Sequence, residues 1–315
     1  MKQKEILLFG ASGQIGRNLI RKLSLNNYKI IAVTRNSHRA GYVLKTQANP
    51  GYLELVEIKN FNPDKIENLM KSCDICINLI GILYEKKKNQ FKSIHSDFPD
   101  LISQKAKKLK IKKLIHLSSL GIERALDSKY AISKLEGEKK IIKNFKNYFI
   151  LKPSIVYSVD DKFTTRFMML LSRLPLMPLY YNGNTKFNPI HVTDLVNIIF
   201  NIIESKNENL VLECIGSETL TFKEIIQKLL ISIQKKRLLI PMPIQLASLS
   251  AKVLQLLPNP ILTEDQLKLL KYDNIPSGLY KTNFDLGFNS EKKFDDEIKK
   301  YSYNWRTGGQ FAAEK

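Results

Sequence analysis

Residues 6–16 read Ile6-Leu-Leu-Phe-Gly10-Ala-Ser-Gly13-Gln-Ile-Gly16. The four apolar residues are long enough for one buried strand. Glycines follow at three-residue spacing, and then Ile15, Leu19 and Leu23 recur at helical spacing opposite Arg17, Asn18, Arg21 and Lys22. The stretch therefore predicts a strand, a tight turn and a helix. Gly10 allows the sharp turn, Gly13 a close approach of backbone to a pyrophosphate, and Gly16 tight packing of the helix. The helix start then presents free N–H groups and a positive dipole end to phosphates. A glycine triplet alone is weak evidence. Between a strand and a helix it has the context that a dinucleotide site requires, and Ser12, Gln14 and Ile15 join the three glycines as candidate contacts.

The second strand pattern, residues 30–33, ends in Thr34-Arg35. An NAD site usually has Asp or Glu there, gripping the ribose 2′-OH. A guanidinium suits a 2′-phosphate instead. Arg35 thus predicts NADP(H), with NAD(H) the weaker expectation. His38 and Arg39 add basic character, or form an ordinary solvated loop.

Strand and helix patterns go on alternating. Strands are expected at 53–58, 75–80, 114–117 and from 149, and helices near 66–70, 98–109 and 131–143. This argues an α/β fold with a doubly wound parallel sheet of the Rossmann type. Such a sheet binds its ligand at the strand ends, which brings in Leu79, Ile80, Gly81 and Pro153. Prolines crowd the second half, where helices are expected at 164–173, 194–204 and 222–234. The division expected is a cofactor-binding domain at 1–157, with a returning strand near 210–215, and a smaller mixed lobe at 158–315.

Tyr130-Ala-Ile-Ser-Lys134 opens a helix and puts Tyr and Lys on one face. A nearby ammonium would lower the phenol pKa and suit it to acid–base work on a carbonyl or hydroxyl. Ser118, at a strand end twelve residues earlier, could hold the substrate oxygen. The plainer alternative is an exposed Tyr and Lys on a lysine-rich helix. His191 and Asp194 are expected to be structural, with Thr193 or Asp194 capping a helix. His95 and His116 receive no role.

The 315 residues carry a net charge of +20, with 43% apolar and 25% charged residues. That is the balance of an ordinary globular protein. Lysines are spread along the chain without interleaved aromatics, so no nucleic-acid partner is expected. Cys73, Cys76 and Cys214 make no disulfide framework and no metal set, and they suggest a reducing compartment. The first strand begins almost at the N-terminus, so no leader is expected. Residues 244–257 are too short to span a membrane. They are expected to form a core helix of the small lobe, or else an interfacial one. The expected location is the cytoplasm, or peripherally at the inner face of a membrane.

Tyr130, Lys134 and Ser118 together resemble the short-chain dehydrogenase/reductase superfamily in its extended or atypical branch. A narrower resemblance rests on Ser118-Ser-Leu-Gly121, Lys152-Pro-Ser-Ile-Val-Tyr157, Asn188-Pro-Ile-His-Val-Thr-Asp-Leu195, Leu262-Thr-Glu-Asp-Gln266 with Asp273-Asn274, and Trp305-Arg-Thr-Gly-Gly-Gln-Phe311. These pieces are similar to the NADPH-binding accessory subunit of respiratory complex I, the NADH–ubiquinone oxidoreductase, and its bacterial relatives. The resemblance implies an NADPH-carrying accessory or assembly subunit with complex I subunits as partners. Its alternative is an NADP-dependent oxidoreductase acting on a quinone or isoprenoid-type substrate, in ubiquinone synthesis, with Tyr130 and Lys134 as its working pair. Lys152 stands where that family usually has Arg, Ser158 where glycine is common, and Asn60 where an Asp often meets adenine.

Overall fold

The computed structural model describes residues 4–206 and 208–311. Its centre is a sheet of eight strands: β1 (Glu5–Phe9), β2 (Lys29–Thr34), β3 (Leu53–Glu57), β4 (Ile75–Asn78), β5 (Lys113–Leu117), β6 (Tyr148–Pro153), β7 (Leu210–Cys214) and β8 (Lys281–Thr282). They lie in the order β8-β7-β6-β5-β4-β1-β2-β3, and every pairing is parallel. The order reverses beside β1, so a crevice opens between the carboxyl ends of β1 and β4.

The apolar strands are covered on both faces. Leu8, Ala32, Ile77 and Ile115 enter one core, while Leu7, Phe9, Ile31, Cys76 and Leu114 enter the other. This is the period of two that a strand imposes. Helices α1 (Gln14–Leu25) and α2 (Ser37–Lys45) lie on the first side. Helices α3 (Pro63–Met70), α4 (Phe98–Leu109) and α5 (Lys129–Asn144) lie on the second. His38 and Arg39 begin α2 rather than a loop, with Asn36 capping it through Arg39 N.

The second half adds α6 (Thr164–Arg173), α7 (Val192–Glu204), α8 (Phe222–Ser232), α9 (Ile244–Leu254), α10 (Glu264–Leu269) and α11 (Phe294–Ser302). The boundary expected after residue 157 is crossed twice. Helix α7 packs into the first core through Leu195, Ile198, Ile199 and Ile202, and β7 and β8 extend the sheet. The remaining lobe has its own core, in which Tyr157, Met168, Phe222, Ile226 and Phe294 meet.

Residues 244–257 differ from the core helix expected. Only Ala247 and Ala251 of α9 are buried, while Leu246, Leu249 and Val253 are 55–60% exposed and Leu256 beyond it is 82% exposed. Ala247 and Ala251 face inward with Leu254 against their cluster, while Leu246, Leu249 and Val253 face outward. Among the described residues no helix is long and apolar enough to cross a membrane.

A single π-helical turn, Lys92–Asp97, leads into α4 and packs against α5 at Gly137. A Cβ on Gly137 would stand 1.9 Å from the His95 carbonyl oxygen. Gly137→Ala should therefore lower stability by about 1–3 kcal/mol through overpacking. Denaturant unfolding checks this, and an unchanged midpoint would mean that the two segments part freely.

Candidate cofactor and active site

The glycine turn is built as its spacing predicts, with one difference of detail. Gly10 has φ +82°, and a Cβ there would lie 2.9 Å from the Leu79 carbonyl carbon and 3.1 Å from Ile80 N. Only glycine lets β1 end so close to the segment leaving β4. A Cβ on Gly16 would fall 2.5–2.6 Å from the Gly10 and Ala11 oxygens, so this glycine packs the helix on the turn itself rather than on the strand. A Cβ on Gly13 would meet only the Gly10 oxygen, at 3.3 Å. Gly13 is the N-cap of α1, and no side chain caps that end. The first-turn N–H groups are thus free for an anion.

Arg35 follows β2 and is exposed, with no described residue paired to its guanidinium. A neighbouring carboxylate, Glu57, is committed to Ser37, accepting from its N at 2.8 Å and its Oγ at 2.9 Å. Asn60 is exposed beyond β3. Leu79 and Ile80 are held by backbone: Leu79 N donates to Phe9 O, and Ile80 N donates to Asn78 Oδ1 at 3.0 Å. The Asn78 amide meets His116 Nδ1 at 3.1 Å. Ser12, Gln14 and Ile15 share the turn and the start of α1. Gln14 reaches across to Ser158 Oγ at 2.8 Å, and Arg17 pairs with Asp160. Pro153 closes β6.

Tyr130 and Lys134 are both buried, on one face of α5. Neither lies on an exposed helix face. Burial, chiefly, pushes the Tyr130 phenol above its ordinary value, opposed by a hydrogen bond with Ser119. This reverses the lowering by Lys134 that the spacing suggested. The Lys134 ammonium instead donates to Leu117 O at 2.9 Å, and burial pulls its pKa down to about 8. It stands beside Gly81, 3.5 Å from where a Cβ would be.

Ser118 is buried and donates to Glu138. Its neighbour Ser119, half-buried, is the serine beside the phenol. Behind Ser118 lies a buried polar network. Lys152 is fully buried, pairs with Glu138 at 2.7 Å and with Glu123, and sits 5.0 Å from the Tyr280 ring centre. Burial opposes its charge, but Glu138 and Glu123 more than offset this and raise its pKa.

His95 is a wall of this site that its isolated position in the sequence did not reveal. Its Nε2 accepts from Ile82 N at 3.1 Å, and its Nδ1 lies 3.0 Å from Ser133 Oγ. Because Ser133 Oγ donates to Tyr130 O, the imidazole must carry its proton on Nδ1. Burial, then Lys134, lowers its pKa to about 2, so it stays neutral. The ring stands edge-on to Tyr130 at 5.3 Å. His191 also differs from expectation: its Nδ1 accepts from Thr193 N and caps α7, while Asp194 accepts from Lys292 N at 3.0 Å. The three cysteines are buried free thiols, and burial pushes Cys73 up to about 12.

The C-terminal motifs close over these walls. Asp265 accepts from Ser128 Oγ, Lys129 N and Tyr130 N at the start of α5. Asn274 donates to Leu120 O at 2.6 Å and accepts from Ser154 Oγ at 2.6 Å, joining the ends of β5 and β6.

A family model described as NAD dependent epimerase/dehydratase matches residues 6–213, which span the glycine turn, the Tyr130 helix and β7. The chain belongs to that family. It is an extended short-chain dehydrogenase/reductase and binds its nicotinamide dinucleotide class of cofactor. The 40 kDa subunit of NADH-ubiquinone oxidoreductase from Neurospora crassa is 25% identical over 285 residues, covering 89% of this chain and 74% of that one. The alpha subcomplex subunit 9 of NADH dehydrogenase [ubiquinone] from Dictyostelium discoideum is 27% identical over 224 residues, covering 71% of this chain and 62% of that one. A dTDP-glucose 4,6-dehydratase from Bacillus anthracis, solved with NAD, shares the fold at a TM-score of 0.71 and 14% identity, covering 96% of this chain and 98% of that one.

Gly13→Val should abolish nicotinamide dinucleotide binding while leaving the fold intact, because its side chain would enter the space expected for the phosphates and meets little protein. Cofactor titration and a thermal melt on the same sample check both halves. Undiminished affinity would move the phosphates elsewhere.

Proposed function

We propose that this protein carries NADP(H) as an accessory or assembly subunit of a complex I-type NADH–quinone oxidoreductase. The observation that carries the reading is the use of the C-terminal motifs. Asp265 of Leu262-Thr-Glu-Asp-Gln266 and Asn274 of Asp273-Asn274 bond the start of α5 and the segments after β5 and β6, which supports a role for these motifs beside the expected cofactor site. The match to the Neurospora crassa subunit extends over 285 residues, well past the family model's last residue at 213. A phenol held above its ordinary pKa by burial supports a hydrogen-bond donor more than a base near neutral pH. The apolar outward side of α9 supports peripheral contact with a membrane, where a chain of net charge +20 meets anionic headgroups favourably.

Arg35 supports NADP(H) over NAD(H). A charge-assisted contact with the 2′-phosphate is worth roughly 1.5–3 kcal/mol. Titration should show NADPH bound at least about tenfold tighter than NADH, and Arg35→Ala should remove the difference. Equal affinities in the unmodified protein would refute the preference.

The alternative is an NADP-dependent oxidoreductase for a quinone or isoprenoid-type substrate, with Ser118 or the better-placed Ser119 anchoring an oxygen and Tyr130 donating to it. The hydrogen bond between Tyr130 and the half-buried Ser119 favours it. One comparison separates the two. Tyr130→Phe keeps the ring and removes the proton, whereas deletion of residues 306–315 removes a tail of which 312–315 lie outside the described residues. Under the accessory reading, Tyr130→Phe leaves complex assembly and NADH oxidation intact and the deletion impairs both. If Tyr130→Phe alone abolishes function, and the protein never co-purifies with the complex, the enzyme reading replaces it.

A further inference from the structure

We propose that Asp265 is a positioning residue, acting from the C-terminal lobe through α5 to set the nicotinamide end of the cofactor site. The inference rests on the dinucleotide reading above. It begins with a contrast between two helix starts. Both α1 and α5 point their N-termini toward the strand ends. The start of α1 has no side-chain cap and stays open to an anion. The start of α5 is filled from within the protein. Asp265 Oδ1 accepts from Lys129 N at 2.7 Å, and its Oδ2 accepts from Ser128 Oγ at 2.8 Å and Tyr130 N at 3.1 Å. Ser128 Oγ in turn accepts from Ala131 N at 3.3 Å. Three successive N–H groups of the first turn are thus satisfied by two side chains, one of them from 135 residues away.

Such a carboxylate complements the helix dipole as well as its free donors. Local stability alone needs only Ser128, which is already the N-cap. The added carboxylate fixes where the first turn sits, and that turn carries Tyr130, with Lys134 one turn on. Asp265 is itself held rigidly. A capping box between Thr263 and Gln266 starts α10, and Lys268 Nζ donates to Asp127 O at 3.1 Å, just before α5. Leu269 and Tyr272 pack against the cluster of Phe91, Ile122, Ala125, Tyr130 and Ala131. The phenol of Tyr130 faces Asp265 from α10, Ser119 from the β5 end, Glu138 from its own helix, and the neutral His95 from the π-helical turn.

The test uses the full chain and two probes. NADPH engages the whole site. Adenosine 2′,5′-bisphosphate carries the 2′-phosphate but no nicotinamide half. Asp265→Ala should weaken NADPH about tenfold or more, shift the emission of the bound nicotinamide toward that of free NADPH, and leave adenosine 2′,5′-bisphosphate within about twofold. Asp265→Glu should restore part of the loss. Asp265→Asn keeps the shape if the alanine variant does not fold. It should lower the pH at which Tyr130 titrates, because Asp265 raises that pKa; the phenolate absorbance is read against a Tyr130→Phe background. Unchanged NADPH affinity and emission in folded Asp265→Ala would overturn the proposal. An equal loss for both probes would also overturn it, leaving Asp265 a role in the fold alone. If the unmodified protein binds NADPH but not the bisphosphate, the placement of the dinucleotide fails first, which is a different result from either.

Discussion

The close approach of Gly10 to Leu79 and Ile80 is the constraint on which the rest of the molecule depends. A backbone at φ +82° with a carbonyl carbon 2.9 Å from the missing Cβ admits no other residue without movement. It brings the end of β1 against the end of β4, where the order of the sheet reverses. From that contact the uncapped start of α1 and the Leu79–Gly81 segment form the two sides of one crevice. Asn78 and His95 reinforce the second side, since each accepts a backbone N–H of the segment, from Ile80 and Ile82. A neutral imidazole is needed for this, because only an unprotonated Nε2 can accept. Its burial supplies that state.

Besides the apolar packing of α7, β7 and α10, the C-terminal half is joined to this crevice by short polar contacts. Its own core gathers around Tyr157, Phe222 and Phe294, apart from the sheet. Asp265, Asn274 and Ser158 then reach the ends of α5, of β5 and β6, and of α1 respectively. Each of these contacts ends on a backbone group or side chain at the strand-end edge of the sheet or at the start of a helix beside it. Hydrogen bonds of this kind hold geometry more than they hold free energy, each contributing about 1 kcal/mol net. These polar contacts therefore shape the site more than they stabilise the sheet core.

Much of this was legible in the sequence because the physics involved is periodic or local. Alternate residues such as Leu7 and Leu8 enter opposite cores, and strands buried on both faces read as unbroken apolar runs. The glycine turn and the Tyr130–Lys134 face depend on fixed spacings. What escaped depends on distant partners. After β5 ends, the alternation that would choose between Ser118 and Ser119 no longer applies, and the buried Glu138 claims the first of them. His95 takes its meaning from Ile82 and Ser133, neither of which is near it in sequence. Apolar composition alone does not say which side of α9 faces out; the two buried alanines set that, and Leu246 and Leu249 follow. Asn78, a polar residue ending an apolar strand, was a signal that the sequence did carry.

Electrostatics gives the last step. A phenol raised by burial, an ammonium lowered to about 8 and a histidine kept neutral all follow from one cause, the exclusion of water around α5. At neutral pH this leaves Tyr130 and the mostly protonated Lys134 as hydrogen-bond donors. His95 has its one N–H committed to Ser133. Donors held in a dry site suit hydroxyl and carbonyl oxygens of a bound ribose or nicotinamide, and they hold such groups more firmly than they would in water. Proton abstraction would ask the opposite of Tyr130, a pKa drawn toward neutrality. Here burial and the carboxylates of Asp265 and Glu138 hold that balance on the donor side.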